Sequence, residues 1–560
     1  MQVRLPIMLG DPQTSKDGGL DNFEEFTTRD EDFFLDGPVS RRVAVIDLDP
    51  ETGGIFPGSR LVPPRGRRKF GRYEIPKEEG IYGREFQQVS AFATVLGTMY
   101  LFEEPDSLGR RLKWAFDAPQ LLIVPRAGEM ANAFYERESH SLQLFYISRG
   151  DEPAVYSCLS PDIIAHETAH AILDGIAPDL YNALTPQSLA LHEAIADLTA
   201  LLMSLRSPKL CQAALKSTNG LIADVNALST IAPEFGQARD PTGTARYLRS
   251  LHNKKTLQRS DRSLDENGIP NRVNRYEPHS LSEALTGAFY AVLAKLHRSM
   301  KTGTSYSSAV KALRIASKWF QQTILRALDY LPPGEVSFLD YGKAVLAVDQ
   351  MIQAESQEAE WIREEFTHRG IVSDSSAFNM LTNFRFKPLE KIDLRAIASS
   401  DWVAYSFVNK HRDFFGIPAQ EQFRVLPRLE TTKLYQQSKN KAPVPVRELI
   451  LKVSWSRPED ANSGAPFAGN RSLTVGVTLA IDWETRKVRA RIDSDRIPRN
   501  VVESQVKTPA TTTRSHTLHV SDQTAIERPE LSASMVSSPP IPPRGVDAGA
   551  FYDLLSYRRR

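Results

Sequence analysis

Cysteine is nearly absent: Cys158 and Cys211 are the only two in 560 residues. Two thiols cannot build a disulfide framework, which points to a reduced compartment. An excess of either charge is missing as well. Lys and Arg number 69 against 68 Asp and Glu, a net charge of +1, so nothing draws the whole chain toward nucleic acid or an anionic membrane. No stretch reaches roughly 18 consecutive apolar residues, and no membrane span is expected. The longest uncharged run, Phe86–Phe102, is broken by Gln87, Gln88, Ser90 and Thr94 and reads as a packed helix. The opening "MQVRLPIMLGDPQTSKDGG" lacks the basic region and apolar run of a signal peptide. The expected location is cytoplasmic.

What is present is ordinary for a globular chain: 41% apolar and 24% charged residues, enough for a large core. Composition divides it. Residues 1–80 are rich in Gly, Pro and charge and read as an N-terminal extension, with one clear strand in "RRVAVIDLDPETGG". The locally basic "SRLVPPRGRRKFGRY" reads as a solvated loop, because no nucleic-acid motif accompanies it. Residues 81–373 form the main domain. Helical patterns fall at Phe86–Phe102, Pro161–Gly175, Leu189–Leu205, Leu281–Met300, Ser305–Tyr330, Tyr341–Ala354 and Gln357–His368. "QLLIVPRAG" and "SLQLFYIS" are strand-like. Residues 374–395 read as a linker. Residues 396–497 read as a small α+β or β domain, with alternating runs in "RELILKVSWSR" and "SLTVGVTLAIDWETRKVRARID". Residues 498–560, rich in Ser, Thr and Pro, are expected to be a disordered tail.

Only 11 histidines occur, and two stand four apart in "IIAHETAHAILDG", Ile163–Gly175. On a helix, His166 and His170 lie on one face and can aim at one point. Zinc accepts imidazole nitrogen at about 2.0–2.1 Å, which this spacing suits. Glu167 sits beside the first histidine and can reach a water rather than the metal, the placement a general base requires. A chance H-E-x-x-H arises in about one such chain in a hundred, so a third ligand decides the matter. "LALHEAIADLTALLMSL", from Leu189, supplies it after 22 intervening residues. Glu193 and Asp197 share a helix face there. Glu193 can bind the metal, and Asp197 can accept the other ring N–H of a ligand histidine.

"HETAH" followed by "HEAIAD" resembles the thermolysin family of gluzincin metallopeptidases over roughly Phe86–Val372. The His₂Glu zinc set is a known example for that family. The resemblance implies an α+β fold of two lobes, a mixed-sheet lobe and a helical lobe. It also implies one catalytic Zn2+ on His166, His170 and Glu193, with Glu167 as the base. "NAFY" is similar to the family's substrate-binding edge strand, so Asn132 and the backbone of Ala133 would pair with an extended peptide. By the same resemblance Tyr181 and His279 would donate to the developing oxyanion. Arg249, in "LRSL", would hold a substrate carbonyl. His192 stands where the family commonly has Asn and could still bond a ligand histidine. Asn274 replaces the acid expected to orient His279, and Glu277 is close enough to substitute. Asp162 matches a calcium ligand, but Ser204 occupies the next acidic position, so the resemblance does not extend to a calcium pair.

The activity implied is zinc-dependent hydrolysis of peptide bonds in a peptide or protein substrate, with no nucleic-acid or membrane partner. Two alternatives stand beside it. One is a zinc-stabilised, non-proteolytic scaffold or regulatory protein, although a structural site has no use for a base. The other is an aminopeptidase of the related gluzincin branch, suggested faintly by "GEMAN" at Gly128–Asn132.

Overall fold

Arg84–Glu103 carries no proline and only one glycine, and it forms a single helix buried along almost its whole length. It belongs to a computed structural model that describes residues 1–494 except 31–32, 50–51, 241, 266–267, 302–305, 353–355, 436–443 and 460–470. The tail expected over 498–560 lies outside the described residues. The fold mixes helices with several sheets, as expected for an α+β chain.

A six-stranded mixed sheet runs beside that buried helix. Its order is Phe34–Leu35, Val39–Ser40, Val43–Val45, Leu121–Val124, Ser141–Leu144 and Ala133–Glu136. Val43–Val45 pairs parallel to Leu121–Val124, so the segment before residue 81 supplies strands to the main sheet. Apolar residues from that segment, Val3, Leu5, Phe34 and Val43 among them, enter the same core as the long helices. Ala133–Glu136 ends the sheet, paired only on one side, with Ala133 opposite Leu144 and Glu136 opposite Ser141.

The helical part is built from Pro161–Ile176, Pro186–Ser204, Pro278–Met300, Tyr306–Tyr330, Phe338–Ile352 and Gln357–His368. Proline occupies the first turn of the first three, where a missing N–H costs nothing and φ is already set. Among the described residues no single helix is long and apolar enough to cross a membrane.

Residues 374–395, expected as a linker, instead hold the strand Leu381–Arg385 and the short helix Lys387–Glu390. That strand is the edge of an antiparallel sheet continuing through Lys487–Asp493, Ser472–Asp482, Val444–Pro458 and Phe423–Val425, with Leu429–Tyr435 also paired to Val444–Pro458. Alternation sorts its side chains. Leu449, Leu451, Val477 and Leu479 face a second core with Leu389, Ile397 and Phe407. Ile450, Ala480, Ala490 and Ile492 face the main core. A buried polar cluster rivets the two parts together. Lys433 lies 2.9 Å from Asp329, which Arg110 approaches at 2.7 Å. Tyr330 Oη donates to Glu448 at 2.6 Å.

Candidate metal centre

The HETAH helix, Pro161–Ile176, is buried from Asp162 to Asp174. One helical turn brings His166 and His170 together, with their Nε2 atoms 3.0 Å apart. His166, Glu167 and His170 present ligand atoms within 4.8 Å of one another, so this buried group could hold a metal ion. The HEAIAD helix, Pro186–Ser204, crosses it and adds Glu193. One Glu193 oxygen stands 3.3 Å from His166 Nε2 and the other 3.6 Å from His170 Nε2. Glu193 Oε2 is buried and makes no hydrogen bond.

The far side of each imidazole is held. His166 Nδ1 meets Asp197 Oδ1 at 2.9 Å. Arg249 grips the same carboxylate with two nitrogens, at 3.0 and 2.8 Å. His170 Nδ1 meets His192 Nδ1 at 2.5 Å. If the Nε2 lone pairs of the first two rings serve as ligands, each Nδ1 carries the hydrogen and donates outward.

Burial opposes charge on His166, but Asp197 and Glu193 raise it to about 10. Burial works against charge on Glu193, but the imidazoles facing it, His279 first, hold its carboxyl well below the usual range. Burial likewise opposes charge on Asp197, and Arg249 with His166 brings it down to about 2. His170 is pushed well below its ordinary value, first by burial, and so keeps a neutral ring.

Glu167 points to the edge strand. The backbone N–H of Tyr135 donates to its Oε2 at 3.1 Å. Tyr135 Oη donates to Asp174 at 2.8 Å, and Arg137 Nε donates to the same carboxylate at 2.7 Å. The strand is thus fastened to the HETAH helix at two levels. Backbone groups two residues apart on a strand point the same way, so Ala133 presents its N–H and C=O to the side on which Glu167 lies. Asn132, Ala133, His166, Glu167, Arg249 and His279 all line one cavity of about 380 Å³.

His279 enters from the start of Pro278–Met300. The Glu277 carboxylate caps this helix, accepting the N–H groups of His279 and Ser280 at 3.0 and 2.5 Å, and it meets His279 Nδ1 at 2.9 Å. His279 Nε2 then lies 3.4 Å from Glu193 Oε2. Tyr181 stands apart from the residues lining the cavity. Its hydroxyl accepts the Arg137 N–H at 3.4 Å, and its ring lies edge-on to Tyr135. Asp162, where a calcium ligand would stand, accepts the Ala232 N–H at 3.1 Å and the Ser204 hydroxyl at 3.4 Å.

Several contributors carry no residue-type signature. Tyr135 acts through its backbone. Glu335 braces the start of the HEAIAD helix, accepting from Leu184 and Thr185 N–H groups at 2.7 and 3.1 Å, and lies 150 residues from Thr185. Phe235 and Arg239 reach the cavity from the short helix Pro233–Arg239. Searched against protein-family models and curated proteins, the chain matches none.

Proposed function

We propose that the chain is a zinc-dependent endopeptidase of the thermolysin-like, gluzincin type. The observation that carries this reading is the convergence of Glu193 on the two imidazoles, with a second carboxylate, Glu167, turned toward an open strand edge. Donors around a tetrahedral zinc with bonds of about 2.0–2.1 Å stand about 3.3 Å apart. Here the two imidazole nitrogens are 3.0 Å apart, Glu193 Oε2 is 3.3 Å from His166, and its other oxygen is 3.6 Å from His170. The buried, unbonded Glu193 Oε2 is the atom such an ion would satisfy. His166, His170 and Glu193 would therefore hold it.

When bound, zinc would supply Lewis acidity toward a water and a peptide carbonyl. The chain supplies the rest. Ala133 offers its backbone to an extended peptide by strand addition. Glu167 takes the proton of the attacking water and returns it to the leaving amine. His279, its Nδ1 side fixed by Glu277, turns Nε2 toward the developing negative charge, a contribution on the order of 3 kcal/mol for such a donor. Arg249 is first the clasp on Asp197, and it also lines the cavity, within reach of a substrate carbonyl. Glu129 of "GEMAN" is exposed and is absent from the cavity wall.

The test is cleavage of casein by the purified protein. Addition of a zinc chelator should stop it, and stoichiometric zinc should restore it. Chelator-insensitive cleavage, or none from a zinc-replete protein, would reject the reading.

A further inference from the structure

The cavity beside Glu167 has apolar walls, Ile163, Ile231, Phe235 and Leu248, and a cation at its rim, Arg239. Phe235 and Arg239 are four apart on the helix Pro233–Arg239, so they lie on one face.

The other charges of this cavity are committed. Arg249 is bound to Asp197 through two nitrogens. Glu277 caps a helix and holds His279. Glu167 receives the Tyr135 N–H. Burial raises the Glu283 carboxyl to about 7, so near neutrality it carries only part of a charge. Arg239 is exposed. Among the described residues no carboxylate stands within ion-pair distance of it. The neighbouring Asp240 carboxylate is occupied by Thr242, Thr244 and the N–H of Ala245. An apolar slot with a single uncommitted cation at its mouth selects a side chain built the same way round: methylenes first, then an anion.

Resting on the peptidase reading, we propose that this slot is the specificity subsite for an acidic side chain, glutamate above all. Phe235 and Ile163 would pack its methylenes and Arg239 would receive its carboxylate. Lysine meets like charge at the rim.

The experiment measures binding and turnover separately. Fluorescently labelled hexapeptides, with Glu, Gln, Leu or Lys walked through each position, are titrated onto the zinc-loaded Glu167→Gln protein. At one position Glu should bind about 2–5-fold tighter than Gln, an advantage that shrinks with added salt as a rim charge requires. In the Glu167→Gln, Arg239→Glu double variant the order at that same position should invert toward Lys. Equal affinities at every position, no measurable binding, or an acidic preference that survives Arg239→Glu would overturn the proposal. Turnover of the same peptides by the native chain reports on the peptidase reading alone, so either idea can fail without the other.

Discussion

The backbone N–H of Tyr135 donates to Glu167 Oε2 across 3.1 Å, joining the last strand of the mixed sheet to the residue between the two imidazoles. A glutamine side chain can accept that same N–H but cannot take a proton. Glu167→Gln should therefore keep fold and zinc content and lose about 10²–10⁴-fold in peptide cleavage. Near wild-type turnover of casein by this variant would remove Glu167 from the role of base.

Asp197 should act on the metal through His166. It holds Nδ1 at 2.9 Å and is itself held by Arg249. Asp197→Asn should weaken zinc binding by about 10–100-fold, the usual cost of losing such a partner. His170→Ala, which deletes a ligand outright, should abolish stoichiometric zinc. Zinc competition against a chromogenic chelator reads both, and unchanged affinity in Asp197→Asn would show that His166 does not need its partner.

Glu277 serves two masters, a helix end and a side chain. Glu277→Gln leaves one accepting oxygen, enough for the His279 or the Ser280 N–H but not both, and removes the charge facing His279 Nδ1. The expected signature is a fall in kcat with little change in KM and unchanged zinc. Glu277→Ala should add a stability loss of about 1 kcal/mol from the missing cap. A KM effect alone would mean that His279 contributes to substrate binding and not to the transition state.

Much of this site was legible because its chemistry lies in residue types at helical spacing. The pairs His166/His170 and Glu193/Asp197 are each four apart, and the helix Gln357–His368 has the ends its pattern predicts. The illegible parts are those without a periodic signal. Leu381–Arg385 is a short edge strand paired on one side only, and its single neighbour lies about a hundred residues on, so "LTNFR" reads as a connector. Arg239 and Phe235 follow "IAP" in a seven-residue helix too short to show a face. The support from Glu335 and from the Tyr135 backbone depends on tertiary contact, which no local window contains.

Asp11 gives a stability test independent of the metal. Its carboxyl caps Pro12–Gly18, accepts the Glu234 N–H at 2.9 Å, and leaves Oδ2 buried without a partner. Burial first, and Asp162 second, raise it to about 8. The native chain thus keeps a proton that the unfolded chain releases near pH 4, so this group lowers stability as pH rises from about 4 to 8, by at most about 1.4 kcal/mol per pH unit. Asp11→Asn keeps the accepting oxygen and removes the ionisation. Its Tm should exceed that of the native chain at pH 8, and the gap should close toward pH 4. A gap independent of pH would mean that Asp11 is already ionised in the fold.

The main domain should not survive excision as residues 80–375. Removing the first segment strips Val43–Val45 from its parallel pairing with Leu121–Val124 and takes Val3, Leu5 and Phe34 out of the main core. Removing the C-terminal sheet takes Ile450, Ala480, Ala490 and Ile492 out of that core as well. It also takes Lys433, 2.9 Å from the buried Asp329, away and leaves that carboxylate with Arg110 at 2.7 Å. Burying each of Val3, Leu5, Phe34, Ile450 and Ile492 is worth about 1.5–3 kcal/mol, so these losses rival a total stability of about 5–15 kcal/mol. Expressed alone it should aggregate or lack near-UV circular dichroism, whereas co-expression with residues 376–494 still leaves the first segment missing and should rescue it only in part. A soluble fragment that unfolds cooperatively and cleaves casein at the full-length rate would mean that the flanking strands only decorate a core able to stand without them.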